Sequence, residues 1–85
     1  MFLHLGQDYV INEKEIIGIF DIDTVSSPIT KRYFKRCEQN GRVITVSDDL
    51  PKSVVVTQTD LGPMCYISQL SAATLYKRLS AITEL

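Results

Sequence analysis

IIGIFDIDTVSSPITKRYFKRCEQNGRVITV, residues 16–46, reads as strand, helix, strand, and that reading decides the fold class. In IIGIFDI (16–22), alternation sets Ile16, Phe20 and Ile22 on one strand face with Gly18, and Ile17, Ile19 and Asp21 on the other. Both faces are apolar until the end. Ser27 is then a candidate N-cap, and Pro28 suits the first helical position because its missing N–H would find no partner there anyway. Asn40-Gly41 supplies a left-handed stop. The spacing predicts a helix of about 12 residues, roughly 18 Å long. RVITV (42–46) returns to β-branched composition.

Working outward, FLHL (2–5) and DYVI (8–11) flank Gly6 and predict an opening hairpin or two adjacent edge strands. KSVVVT (52–57) and PMCYIS (63–68), the latter after a Gly62-Pro63 turn, predict two more strands. Ser71 can cap a closing helix in which Leu75, Leu79 and Ile82 share a face and Lys77 and Arg78 point elsewhere. The expectation is an α+β domain over residues 1–85, a small mixed sheet of about five or six strands with two helices.

Strands such as IIGIF and VVV are apolar on both faces, while two short helices cover little more than one face of such a sheet. The second face must be buried by the sheet folding on itself or by another subunit, and self-association is the favoured expectation. Size points the same way, because a chain of 85 residues sits where folding alone leaves stability marginal.

Composition is that of an ordinary globular protein, 45% hydrophobic and 22% charged. Cys37 and Cys65 are too few for a disulfide framework and lack C-x-x-C spacing, so they read as reduced, buried thiols of a cytoplasmic protein. The N-terminus has no basic region before an apolar run, and no stretch approaches the length of a membrane span.

The net charge of −1 conceals segregation. Residues 1–30 carry Lys14 against Asp8, Glu13, Glu15, Asp21 and Asp23; residues 31–42 carry Lys31, Arg32, Lys35, Arg36 and Arg42 against Glu38 alone. Such asymmetry suits an anionic partner or head-to-tail self-assembly. On the predicted helix, Ile29, Tyr33 and Cys37 line one side with Phe34 at its border, and Lys31, Arg32, Lys35 and Arg36 take the opposite arc. A cationic rod of this length suits phosphate contacts, since neutralising backbone charge releases counterions whatever the base sequence. On charge pattern alone, a merely solvated face is the commoner outcome, and the acidic N-terminal third is an alternative partner.

Catalysis has no signature. His4 is the sole histidine and stands beside no spaced Cys, Asp or Glu; Asp21 and Asp23 are not a calcium loop, and Asp48-Asp49 read as turn formers. No phosphate-binding, dinucleotide or nucleophile-elbow motif occurs, so neither enzyme activity nor a cofactor is expected.

His4-Leu5-Gly6, Ile16-Ile17-Gly18-Ile19-Phe20-Asp21, Ser27-Pro28 and Pro51-Lys52-Ser53-Val54-Val55-Val56 together resemble the RemA/RemB group of extracellular matrix regulatory proteins, its RemB branch above all. The resemblance runs in order over about the first 80 residues and is more specific than any one motif. It implies a cytoplasmic bacterial protein with a likeness to LytTR-type DNA-binding domains. RemA relatives are DNA-binding activators of biofilm-matrix genes that assemble into closed rings, so the resemblance also implies a ring. One departure stands out. RemA-type proteins carry arginines in the loop before the VVV strand, whereas here SDDLPKSVVV (47–56) keeps only Lys52 and adds Asp48 and Asp49, which repel phosphate. The expected DNA-contacting set is therefore Lys31, Arg32, Lys35, Arg36, Arg42 and Lys52. The alternative is a non-catalytic interaction subunit that keeps the oligomer, leaves DNA to a paralogous regulator, and seats its basic helix on the next subunit's acidic segment.

Overall fold

The computed structural model describes residues 1–23 and 28–83, and in it the strand-helix-strand segment passes from one edge of a sheet to the other. The elements are β1 (Phe2–Gly6), β2 (Tyr9–Asn12), a 3-10 turn (Glu13–Glu15), β3 (Ile16–Asp21), α1 (Pro28–Gln39), β4 (Val43–Thr45), β5 (Ser53–Thr59), β6 (Gly62–Ser68) and α2 (Ala72–Thr83). Ser27, expected as the cap of α1, and the side chain of Ile82 lie outside the described residues. Four strands pair in the order β3-β5-β6-β4, antiparallel except for the parallel β6-β4 pair. β3 and β4 thus run the same way at opposite edges, and α1 crosses one face to join them.

The α+β class and all six strands follow the sequence reading, but the single sheet does not form. β1 and β2 make a separate antiparallel hairpin, turned by Gly6 (φ 109) and Gln7 (φ 49). Glycine tolerates that backbone freely; the side-chain-bearing Gln7 follows it into the left-handed region at the loop tip.

This hairpin answers the burial question raised by the two-faced strands. Leu3, Leu5 and Ile11 of the hairpin and Ala72 and Leu75 of α2 bury against Ile19, Val55 and Val46 on one face. Cys37 of α1, with half-buried Tyr33 and Phe34, packs on Val54, Val56, Cys65, Phe20 and Val43 on the other. No second subunit is needed to cover that face: the strands divide, and the β1-β2 hairpin packs back over the sheet together with α2. β5 lies between the two layers, so Val54, Val55 and Val56 are all buried, each contributing about 1.5–3 kcal/mol of hydrophobic stabilisation.

A second correction concerns β3. Ile16 pairs with Thr57 and Gly18 with Val56, so Ile17 is an extra residue in the ladder. This bulge shifts the alternation by one. Ile16 therefore packs with the hairpin and α2 cluster rather than beside Phe20 and Ile22, and Ile17 is left 58% exposed.

Polar bonds fasten the layers. Buried Ser68 Oγ donates to the Leu5 carbonyl at 2.7 Å, Tyr76 Oη to the Ile19 carbonyl at 2.9 Å, and Ser53 Oγ to the Leu70 carbonyl at 2.8 Å. Ser71 caps α2 as expected, its Oγ accepting from the Thr74 N–H at 3.1 Å.

Candidate nucleic-acid interface

α1 ends where Asn40-Gly41 predicts, with Gly41 at φ 67 and its N–H donating to the Glu38 carbonyl at 3.1 Å. Its inward seam differs from the Ile29, Tyr33, Cys37 line in one member: Ile29 is 77% exposed. Positions 30, 34 and 37 are spaced i, i+4 and i+7 and return within a narrow arc, whereas 29 lies about 80° from 37 at the helix's usual turn per residue. Thr30, Phe34 and Cys37 accordingly face the sheet, with Tyr33 beside them. Tyr33 Oη donates to the Thr57 carbonyl at 3.2 Å and lies against the Gln58 side-chain amide oxygen. Burial, reinforced by the nearby Cys37 and Cys65 thiols and opposed by Arg36, raises its phenol above the ordinary value.

Lys31, Arg32, Lys35 and Arg36 are all exposed, on the arc away from this seam. Among the described residues the one ion pair within 4.0 Å joins the Met1 amine to Glu13, at 3.9 Å. No described carboxylate of the same chain neutralises the helix. The reason is positional: Asp8, Glu13 and Glu15 belong to the hairpin and the 3-10 turn after it, and the hairpin packs on the face opposite α1. These three carboxylates thus lie across the sheet from the α1 cations, on a face where α2 also carries Lys77 and Arg78.

The other two expected cations stand apart, at opposite ends of the sheet. Arg42 stands just before β4, where its Nε donates to the Pro63 carbonyl at 2.7 Å and its Nη2 to Thr59 Oγ1 at 3.1 Å. Its guanidinium holds the β5-β6 hairpin to the end of α1, and sequence carried no signal for that role. Lys52 lies at the far end, next to the Ser53 and Ser68 pair, with an exposed side chain and a backbone fixed to Ser68 and Ile22. Exposed Asp48 and Asp49 precede it in a bend where the Asp49 N–H donates to Ser47 Oγ at 3.1 Å. Beside the first half of α1, a groove of about 350 Å³ is lined by Ile22, Thr30, Lys31, Phe34, Val54 and Ile67. The stem of Lys31 thus runs along apolar surface with its ammonium free to reach outward.

His4 is exposed on β1, its carbonyl accepting from Arg78 Nη1 at 3.1 Å. Among the described residues no cluster of three or more His, Cys, Asp or Glu is placed to hold a metal, and no helix is long and apolar enough to cross a membrane.

Comparison with known proteins agrees with the motifs. Residues 2–79 match the family described as RemA-like, extracellular matrix regulatory protein A-like. The chain is also 38% identical over 85 residues to extracellular matrix regulatory protein B of Bacillus subtilis (strain 168), covering 100% of this chain and 98% of that relative. The match spans both layers of the fold and the whole of α1, and the chain belongs to the RemA-like family of extracellular matrix regulatory proteins.

Proposed function

We propose that this chain is a non-catalytic, cytoplasmic, DNA-binding transcriptional regulator of extracellular-matrix and biofilm genes, a LytTR-like module assembled into a closed homo-oligomeric ring. The family supports a regulatory role. The observation that carries DNA contact is the exposed arc of Lys31, Arg32, Lys35 and Arg36, which no described carboxylate of the chain pairs with. Phosphates are the partner such an arc fits, and sequence preference would come from DNA shape and deformability. One helix binds weakly, but a ring repeats it in every subunit and converts weak contacts into avidity. Lys52 extends the arc at one end, while Arg42 serves chiefly to hold the fold.

A second reading is favoured by exposed Asp48 and Asp49 and by the engagement of Arg42. In it the oligomer is kept, α1 meets the acidic N-terminal segment of the next subunit, and DNA is left to a paralogous regulator. The double variant Lys31→Glu/Arg32→Glu separates the two by mass photometry and DNA gel shift. The regulator reading predicts oligomers of unchanged mass that no longer shift DNA. Dissociation into monomers would establish the second reading instead.

A further inference from the structure

Cys37 and Cys65 are 28 residues apart in sequence, yet their Sγ atoms stand 3.0 Å from each other. Cys37 is the buried residue of α1, and Cys65 lies on β6 between its partners Val43 and Val56. Both are fully buried free thiols. The rest of α1's hold on the sheet is lighter: half-buried Tyr33 and Phe34, and the Tyr33 hydrogen bonds. A disulfide requires about 2.05 Å between sulfurs, so the pair must close by roughly 1 Å, within reach of small side-chain rotations.

We infer that Cys37 and Cys65 form a reversible disulfide, a modification site that fastens the basic helix α1 to the sheet when a hydroperoxide reaches it. One thiolate attacks the peroxide O–O bond, giving a sulfenic acid and, after protonation of the leaving oxygen, water or an alcohol. The second sulfur then displaces the sulfenic oxygen, the S–S bond forms, and a second water leaves. Two electrons pass from the two thiols to one peroxide, and both thiol protons end in the products. A dithiol reductant reverses the step by thiol–disulfide exchange.

Burial determines how the site responds. Desolvation, then the hydrogen bond and charge of Cys37, hold the Cys65 thiol protonated well above its ordinary 9.0, so the resting pair is a dithiol sheltered from oxidant. Oxidation therefore proceeds through transient lifting of α1, and its rate follows that opening. Once formed, the bond closes a loop spanning β4, β5 and the helix terminus, removing states in which α1 separates from β6.

The test is hydrogen peroxide added to the native full-length protein, followed by intact mass spectrometry, thiol alkylation in denaturant and amide hydrogen exchange. The expected result is monomeric chain lighter by two hydrogens with both thiols blocked, restored by dithiothreitol. Its Tm should rise by about 10 °C, and exchange across the second half of α1 should slow by about tenfold or more. Cys37→Ser and Cys65→Ser should each abolish the mass change and the Tm response. Retention of two alkylatable thiols, addition of oxygen without loss of hydrogen, disulfide-linked dimers, or a Tm that falls on oxidation would each overturn the inference. The wild-type mass change decides the matter even where a variant folds poorly.

Discussion

Gly18 and Phe20 share the α1-facing side of β3, and a Cβ built at position 18 would lie 2.6 Å from the tip of the Phe20 ring. The glycine is there to let that ring lie flat across its own strand, beneath α1. Gly18→Ala should lower unfolding stability by about 1 kcal/mol, because the half-buried Phe20 ring must leave its place against the Val54 and Val56 layer. Urea denaturation reads this, and an unchanged midpoint would mean the ring is not held. Cys65 gives a prediction in pH. Its thiol is raised by burial, so the stability it lends is fully present below the ordinary 9.0 and is lost as pH rises above it, because the unfolded chain ionises first. Wild-type stability should fall by about 1 kcal/mol per pH unit above that point relative to Cys65→Ala, measured by urea melts under reducing conditions. A parallel pH dependence in the two proteins would contradict it.

At the scale of elements, α1 was the most legible piece, since Pro28 and Asn40-Gly41 mark its ends by covalent constraints that act locally. Its inner face was less so. Ile29 matches an apolar stripe by residue type, but the helix turns it away from the seam centred on Cys37, and Thr30 takes the inward place. The β3 bulge was illegible for a different reason: an apolar run on both faces carries the same composition in either phase, so nothing in IIGIF marks Ile17 as unpaired. Likewise, Arg42 was grouped with the helix cations on charge, whereas its bonds to Pro63 and Thr59 depend on a hairpin about 20 residues downstream. Arg42→Gln should therefore cost about 1–3 kcal/mol of stability while leaving the salt dependence of DNA binding nearly unchanged. The reverse pattern, full stability with a shallower salt dependence, would return Arg42 to the contact set.

For the whole molecule, composition and strand count were enough for the α+β class, but not for the way six strands divide into a sheet of four and a hairpin. That division depends on long-range pairing, β6 with β4 in parallel and Ser68 Oγ on Leu5 across 63 residues, which local propensity does not encode. It also puts the hairpin-side carboxylates and the basic helix on opposite sides of the sheet, which leaves the α1 cations unpaired within the described chain for DNA or, in the second reading, for the next subunit. Under the second reading, in which α1 seats on the next subunit's carboxylates, the oligomer should lose mass by mass photometry as salt rises, and a mass constant from low to molar salt would show that charge does not hold it. The most direct test of DNA contact through α1 is the slope of log affinity against log salt, measured by fluorescence anisotropy for wild type and for Lys35→Ala/Arg36→Ala. Each neutralised phosphate contributes about 0.9 to that slope, so the account predicts that the double variant loses close to two units of slope with no change in oligomer mass. Equal slopes in the two proteins, or no salt-dependent binding by wild type at micromolar concentration, would contradict it.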